Sequence, residues 1–254
     1  MNTLLDSQKI LNTYDPISLA EMDAVKLLDR IDKKYVFHAS RLREILSKLL
    51  DSYFVLTIAD KRWSHYETRY YDTENMEMYL SHHSGKLNRL KIRLRNYTDS
   101  GCSYFEIKAK TNKGRTIKHR VSVTDPNDPF TEMSESLLKR KTCYIQDQLL
   151  EVIQVNYNRI TLVNKNYSER VTLDTGLGYV FDKQTCSFPE LVIAEVKQDR
   201  NSSSPFISLM QASHFHPKSL SKYCLGIASM NHTIKNNRFK PHLLYVKKLC
   251  NQQE

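Results

Sequence analysis

Apolar and polar residues alternate with a period of two along much of the chain, which is the spacing typical of β-strands. The alternation recurs in nine segments with hairpin-length gaps, at about 30–37, 53–58, 64–72, 88–96, 103–110, 115–123, 152–163, 168–174 and 190–198. Turn-forming residues separate neighbouring segments at Asp99-Ser100-Gly101 and at Asn112-Lys113-Gly114. Many strands with short connections predict an antiparallel sheet or barrel rather than a parallel sheet with crossover helices.

Further stretches have the helical period of amphipathic helices, at about 16–29, 40–50, beyond Pro129 and 240–250. The first has Asp15 as an N-cap immediately before Pro16, a favourable combination at a helix start. We find no internal repeat, low-complexity tract or linker. We therefore expect residues 1–254 to form one domain, with a helix near each end.

The charged residues of one predicted strand alternate as regularly as its apolar residues. In the segment RLKIRLR, the four basic positions are Arg89, Lys91, Arg93 and Arg95, and apolar residues separate them. Successive strand residues point to opposite faces, so four cations line one face within roughly 20 Å. This strand has one strongly basic face and one apolar face.

Four other predicted strands repeat this arrangement. The polar residues that share one face of each strand are Glu106, Lys108 and Lys110 in one, Lys118 and Arg120 in the next, then Arg170, Thr172 and Asp174, and finally Glu195 and Lys197. One solvated face would explain any single strand, but solvated faces usually mix Ser, Thr and Gln with charges of both signs. We therefore predict an inverted barrel whose charged faces point inward and whose apolar faces are covered by helices. Because like charges repel, such a lumen favours a dense anion such as a chain of phosphates.

The overall charge of the sequence also indicates a polyanionic partner. Lysine and arginine number 38 against 28 acids, giving a formal charge of +10. A nucleic-acid partner is not expected, because exposed aromatics interleaved with basic residues and an RRM-like signature are missing. The five scattered cysteines predict neither a disulfide framework nor a zinc site. With no signal peptide and no long apolar run, we expect a cytoplasmic chain without a membrane span; a separate membrane partner stays open.

Eight segments occur in the order found in a known family: DRIDKKYVF, YETRYYDT, HHSGKLNRLKIRLRNY, YFEIKAKTNKGRTIKHRV, YNRI, ERVTLDTGL, LVIAEVK and SKYCLGI. Each is weakly specific by itself, but together they cover about residues 28 to 230. The chain thus resembles the VTC (vacuolar transporter chaperone) polyphosphate polymerase domain, a branch of the triphosphate tunnel enzymes that also include the CYTH phosphatases.

The resemblance implies an α+β fold in which a closed, eight-stranded antiparallel barrel with a basic lumen is covered by peripheral helices. It implies catalytic residues at Lys34, Arg93, Arg95, Lys108 and Lys222. Further phosphate-binding residues would be Lys118, Arg120, Arg159, Arg170 and Lys197, and Glu195 would hold Mn²⁺ or Mg²⁺. Among these, Lys34, Arg159 and Lys222 come from the family motifs alone. The implied ligands are ATP and polyphosphate or tripolyphosphate.

One departure from the related hydrolases bears on the reaction. CYTH enzymes open with the motif ExExK, whereas the corresponding positions here are Arg30, Asp32 and Lys34. Fewer carboxylates would bind fewer metal ions and activate water less well. We therefore expect a polyphosphate polymerase that transfers the γ-phosphate of ATP to a growing chain. The alternatives are a metal-dependent tripolyphosphatase or nucleoside triphosphatase, and a non-catalytic polyphosphate-binding protein.

Overall fold

The computed structural model describes residues 2–24, 30–200 and 202–251. The strands within these residues are β1 (Pro16–Ile17), β2 (Arg30–His38), β3 (Tyr53–Leu56), β4 (Ser64–Asp72), β5 (Arg89–Tyr97), β6 (Cys102–Lys110), β7 (Thr116–Val123), β8 (Leu150–Asn164), β9 (Glu169–Phe181), β10 (Gln184–Phe188) and β11 (Leu191–Asp199). The α-helices are α1 (Asn2–Leu11), α2 (Leu19–Ala24), α3 (Leu42–Leu49), α4 (Glu77–His83), α5 (Glu132–Lys141), α6 (Pro205–Ala212), α7 (Lys222–Met230) and α8 (Lys240–Cys250). None of the described helices is long and apolar enough to cross a membrane.

The nine segments with period-two alternation are all strands, and the predicted α+β, antiparallel character is confirmed. The prediction at 16–29 is wrong at its start, because Pro16 and Ile17 form strand β1, which pairs in parallel with β3. Helix α2 covers only Leu19–Ala24, and residues 25–29 lie outside the described residues. Helix α8 occupies the span expected for the closing helix.

The strands form one sheet whose main path runs β2-β11-β9-β8-β4-β5-β6-β7, with β1, β3 and β10 paired beside it. The prediction of a closed barrel is therefore wrong, because no pairing among the described residues joins β2 to β7. The predicted count of eight strands is not confirmed: the main path has eight, and the sheet has eleven strands among the described residues. Alternation defines the two faces of each strand but carries no information about which edges pair.

The sheet is nevertheless strongly curved. The backbone N–H of Lys218 donates to Lys34 O on β2, and three residues later Ser221 accepts a hydrogen bond from Lys91 on β5, although four strands lie between β2 and β5 in the sheet. In a flat sheet, five strand spacings would separate β2 from β5 by about 24 Å. Curvature therefore gives the sheet a concave inner face, which carries the predicted charged residues.

Helices cover the convex outer face, as the sequence pattern predicts. Tyr35 and Phe37 of β2 join a buried cluster with Leu42 and Leu46 of α3 and with residues of α1 and α6. On the other half of the sheet, Phe105 packs in a second cluster to which α5 contributes leucines. These contacts bury the apolar strand faces and leave the charged faces on the concave side.

Part of the inner face is itself apolar, and helix α7 packs there. Val36 follows Lys34 by two residues and Ile193 precedes Glu195 by two, so both share the face of these charged residues, and both belong to a cluster with residues of α7 and α8. Gly226 lies where α7 meets the sheet: a Cβ added there would come within 2.4 Å of Tyr179 and 2.6 Å of Ile153.

This contact yields a prediction about stability. Gly226→Ala should lower the free energy of unfolding by about 1–3 kcal/mol through overpacking against a buried ring, although alanine favours the helix by about 1 kcal/mol. Gly178→Ala is the matched control, because its Cβ would meet no atom within 4 Å. Urea denaturation of both variants measures the difference; equal stability would show that α7 does not pack against the sheet at Gly226.

Candidate functional site

Strand register brings the predicted cations of β5, β6 and β7 side by side. Arg93 lies opposite Glu106, which lies opposite Arg120 on the next strand. Two residues further along β6, Lys108 lies opposite Lys118 of β7. These side chains share the inner face because they occupy alternate positions of paired strands.

The same register arranges the other side of the inner face. Glu195 on β11 lies between Thr172 on β9 and Lys34 on β2. Lys197 likewise lies opposite Arg170. The antiparallel pairing thus places all eleven predicted site residues except Lys222 on this face, and Lys222 reaches it from the first turn of α7.

Glu106 is fully buried between two of the cations. Arg93 donates to it at 2.8 Å through Nε, and Lys118 Nζ lies 3.3 Å from its other oxygen. Burial by itself would raise the pKa of the Glu106 carboxyl, but Arg93, Arg95 and Lys118 together lower that pKa below its usual range. The carboxylate therefore stays ionised and ties β5 to β6 and β7.

Asp174 on β9 is held in the same way. Arg159 donates to both of its oxygens, at 2.6 and 2.8 Å, and Lys222 donates to one of them. Burial would raise the pKa of Asp174, but the attraction of Arg159 and Lys222 lowers it. The bidentate geometry fixes the Arg159 guanidinium, and the Lys222 contact joins α7 to the sheet.

Glu195, the predicted metal ligand, also contacts two cations. Lys197 donates to it, and Lys34 Nζ lies 3.5 Å from its other oxygen. Burial raises the pKa of Glu195, but Lys197, Lys34 and Lys108 hold that pKa well below its usual value. Asp32 lies 3.3 Å from Lys197; the side chain of Arg30, the other altered motif position, lies outside the described part of the chain.

Tyrosine rings contact several of the same cations. Tyr66 lies between Arg95 and Arg159, whose guanidinium carbons are 5.5 and 4.9 Å from its ring centroid. Tyr157 stacks on Tyr66, and Lys222 Nζ is 4.7 Å from the Tyr157 ring. Each such contact contributes about 0.5–2 kcal/mol. The rings attract cations without adding carboxylates that would repel a phosphate.

The sequence pattern did not single out these tyrosines, although it contains a signal for them. Tyr66 precedes Thr68 and Tyr70 at alternate positions of β4, and Thr68 pairs with Arg95. The alternation along β4 therefore places Tyr66 on the charged face. The alternation could not show that the Tyr66 ring lies between two guanidinium groups, because that depends on the pairing of β4 with both β5 and β8.

Arg95 differs from the ion-paired cations. Its side chain is buried, its Nε has no hydrogen-bond partner, and no ion pair joins it to another described residue. Tyr66 thus holds the guanidinium by its ring face and leaves the N–H groups unused. Arg170, by comparison, donates to the backbone oxygen of Met22 at 2.9 Å, so it also anchors helix α2.

Two inner-face lysines show how crowded the positive charge is. Arg93, burial and Arg95 together lower the pKa of Lys108 to about 5. Burial, together with Arg93, Lys34 and Arg89, lowers the pKa of Lys91 to about 8, and Lys91 donates to Ser221 at 2.8 Å. The site therefore favours the arrival of negative charge.

The inner face fits a metal ion only together with a ligand. No cluster of three or more His, Cys, Asp or Glu side chains suited to a metal lies within the described residues. Mg²⁺ commonly takes one or two protein carboxylates and completes its shell with water and substrate phosphates. Glu195 can supply one such oxygen donor, so phosphate oxygens would have to supply others.

The low pKa of Lys108 leads to a prediction about proton uptake. At pH 7 a lysine with a pKa of about 5 is mostly neutral, and a nearby polyanion raises its pKa, so binding of tripolyphosphate should take up a proton. Calorimetric titrations in buffers of different ionisation enthalpy measure this uptake. The control is Lys108→Met, which should bind with less proton uptake by up to about one proton. Equal uptake by both proteins would show that Lys108 is already charged.

Comparison with known proteins identifies the family. Residues 29–231 match the VTC domain. An adenylyl cyclase candidate from Hippeastrum, described as having a dominant triphosphatase activity, is similar over 79% of this chain and 96% of its own, with 11% identity and a TM-score of 0.50. A candidate adenylate cyclase from Vibrio parahaemolyticus covers 77% of this chain and 96% of its own, with 12% identity and a TM-score of 0.46. No curated protein matches. Because the family match spans most of its length, the chain belongs to the VTC domain family.

Proposed function

We propose that the chain is a metal-dependent polyphosphate polymerase that transfers the γ-phosphate of ATP to a polyphosphate chain held on the inner face. The observation that carries this proposal is the charge balance of that face. Nine predicted site cations, and Lys108, which gains its charge as a polyanion binds, accompany Glu106, Asp174 and Glu195, and each of these acids already contacts two of the cations. The remaining positive charge calls for an extended ligand of high negative charge density.

The state of the carboxylates favours phosphate over water as the nucleophile. Hydrolysis requires a base that removes a proton from water. Glu106 and Asp174 are ion-paired and almost fully buried, and Lys197 and Lys34 hold Glu195. The terminal oxygen of a phosphate chain is already anionic, so it needs no base to attack.

In the proposed reaction, that terminal oxygen attacks the γ-phosphorus in line, the bond to the β-phosphate oxygen breaks, and ADP leaves. Arg95 would bind oxygens of the transferred group with its unused N–H donors, and Arg93, Lys34, Lys108 and Lys222 would neutralise charge around it. The other cations of the inner face would hold the chain. Mn²⁺ or Mg²⁺, bound by Glu195 and phosphate oxygens, would supply further charge neutralisation.

A tripolyphosphatase or nucleoside triphosphatase is the second candidate, because the Hippeastrum protein with a similar fold is described as a triphosphatase. Both reactions use the same phosphate-binding face. The two differ only in whether water or a phosphate chain occupies the position in line with the leaving group.

Product analysis tests the proposal. Purified protein incubated with ATP and Mn²⁺ should form a ladder of polyphosphate on a gel, with ADP as the co-product and little free phosphate. Rapid release of free phosphate without polymer would establish the hydrolase instead. Binding of polyphosphate without any turnover would establish a non-catalytic binding protein.

Glu195 provides the second test of this function. Glu195→Gln should lower metal-dependent turnover at least about 100-fold, because it removes the carboxylate that binds the metal. It also removes a negative charge beside Lys34 and Lys197, so the metal-free affinity for tripolyphosphate should stay the same or rise. Initial rates and calorimetry measure the two quantities.

The control for that variant is Glu190→Gln, a half-buried acid just before β11 that approaches only His38, at 3.7 Å, among the ion pairs of the described residues. It should turn over at the wild-type rate. Wild-type turnover by Glu195→Gln at limiting metal would remove Glu195 from the site, and an equal gain of affinity in both variants would indicate a general effect of charge.

A further inference from the structure

Two loops lie side by side at one end of the sheet. The first loop joins α4 to β5, and the second is the turn between β6 and β7. The backbone N–H of Asn112 in the turn donates to Asn88 Oδ1 in the first loop at 2.8 Å. Strand pairing continues this contact, because Arg89 at the start of β5 lies opposite Lys110 at the end of β6. The two loops and the adjoining strand ends therefore form one surface, which we call the basic tip.

The charges of the basic tip have one sign. Its basic side chains, which are exposed in the loops and half-buried at the strand ends, are Lys86, Arg89, Lys110, Lys113 and Arg115. No Asp or Glu occurs in residues 84–97 or 107–124. No ion pair among the described residues joins any of the five basic side chains to an acid. Within the described part of the chain, the positive charge of the basic tip is therefore uncompensated.

His82, in the last turn of α4, lies beside the basic tip and is affected by its charge. Burial and four nearby cations lower the pKa of His82 to about 3. These cations are Lys91, Arg89, Lys110 and Arg238. The imidazole is therefore neutral at pH 7, and the positive potential of the basic tip extends to the end of α4.

The basic tip also exposes two large aliphatic side chains. Leu87 in the first loop is 63% exposed, and Ile117 near the start of β7 is 47% exposed. Ile117 lies opposite Ala109, which lies opposite Leu90, so these residues form an apolar row across the outer face. The apolar cluster to which α5 contributes includes Leu90 but neither Ala109 nor Ile117. The apolar row therefore ends uncovered beside the basic loops.

Basic residues around exposed aliphatic side chains suit a lipid surface better than a nucleic acid. Anionic headgroups attract lysine and arginine, and the membrane interface buries leucine and isoleucine. Proteins that bind single-stranded nucleic acid stack bases on aromatic rings, and residues 84–90 and 109–117 contain no aromatic side chain. A soluble polyanion would use the charges of the basic tip but would gain little from Leu87 and Ile117.

We propose that the basic tip docks on a membrane surface rich in anionic lipid, with Leu87 and Ile117 in the interface and the basic side chains at the headgroups. The inference does not depend on the proposed reaction. Neither aliphatic residue is one of the eleven predicted site residues, and the loop cations Lys86, Lys113 and Arg115 are not among them either.

The first test measures binding of the intact protein to sucrose-loaded vesicles by sedimentation, without nucleotide or metal. The vesicles contain phosphatidylcholine alone or with about 30% phosphatidylglycerol. The partition coefficient should be at least about tenfold higher for the anionic vesicles and should fall as salt is added. No binding, or equal binding to both kinds of vesicle, would overturn the proposal.

A double variant tests the aliphatic contacts. Leu87→Ser with Ile117→Ser should lower the partition coefficient at least about tenfold, because it removes the apolar area that the interface would bury. The matched control is Leu19→Ser with Leu244→Ser, whose exposed fractions of 47% and 67% are similar. The control should bind vesicles within about twofold of wild type. Equal losses in the two double variants would show that docking is not at the basic tip.

A second double variant tests the charges. Lys113→Gln with Arg115→Gln should lower the partition coefficient by about 25-fold, or about fivefold for each charge near an anionic surface. The control is Lys247→Gln with Lys248→Gln, two exposed lysines of α8. It removes the same net charge and should change binding by about twofold at most. An equal effect of both pairs would indicate attraction by the overall charge and would contradict a specific docking surface.

Two further outcomes would assign the basic tip to another ligand. If tripolyphosphate at a concentration that saturates the inner face abolishes vesicle binding, the vesicles bind through the inner face and the proposal is wrong. If polyuridylate binds, depends on Lys113 and Arg115, and vesicles do not bind, the basic tip is a nucleic-acid surface. Failure of the protein to form polymer from ATP would overturn only the proposed function, because vesicle binding is measured without nucleotide.

Discussion

Ion pairs between a few acids and many cations organise the inner face. Glu106, Asp174 and Glu195 lie on three different strands, and each contacts two cations from other strands, from its own strand or from α7. Removing one partner from a buried pair leaves an uncompensated charge, which is strongly destabilising. The pairs therefore fix the positions of six cations, and the tyrosine rings hold Arg95 and Arg120 without further acids. The result is a surface with more positive than negative charge.

This charge balance connects the fold to the proposed chemistry. Helices pack on the convex face, so the sheet can leave its charged face concave and partly accessible. The acids that remain there are bound to cations, and so are poor bases for activating water. A ligand that brings its own negative charge and its own nucleophilic oxygen fits such a site better than water does.

Much of this arrangement could be predicted from sequence, because strand alternation is a local property. The segment from Arg89 to Arg95 defines its faces by itself, and the strand lies where the alternation places it. Closure of the sheet could not be predicted in this way, since it depends on contacts between β2 and β7, which are far apart in the chain. Helix α7 was missed because its small and apolar residues are buried on several sides and give little amphipathic signal. Pairing of Arg95 with Tyr66 is likewise a property of the packed sheet.

The central claim is that the surplus cations of the inner face bind an extended phosphate chain. It is tested most directly by the free energy of unfolding in tripolyphosphate and in sulfate at equal ionic strength, without nucleotide or metal. A ligand that binds only the folded protein stabilises it by about 2.7 kcal/mol at one hundred times its dissociation constant. The account predicts a stabilisation of this order by tripolyphosphate at concentrations where sulfate has little effect. Equal effects of the two anions, or no effect of either, would contradict it.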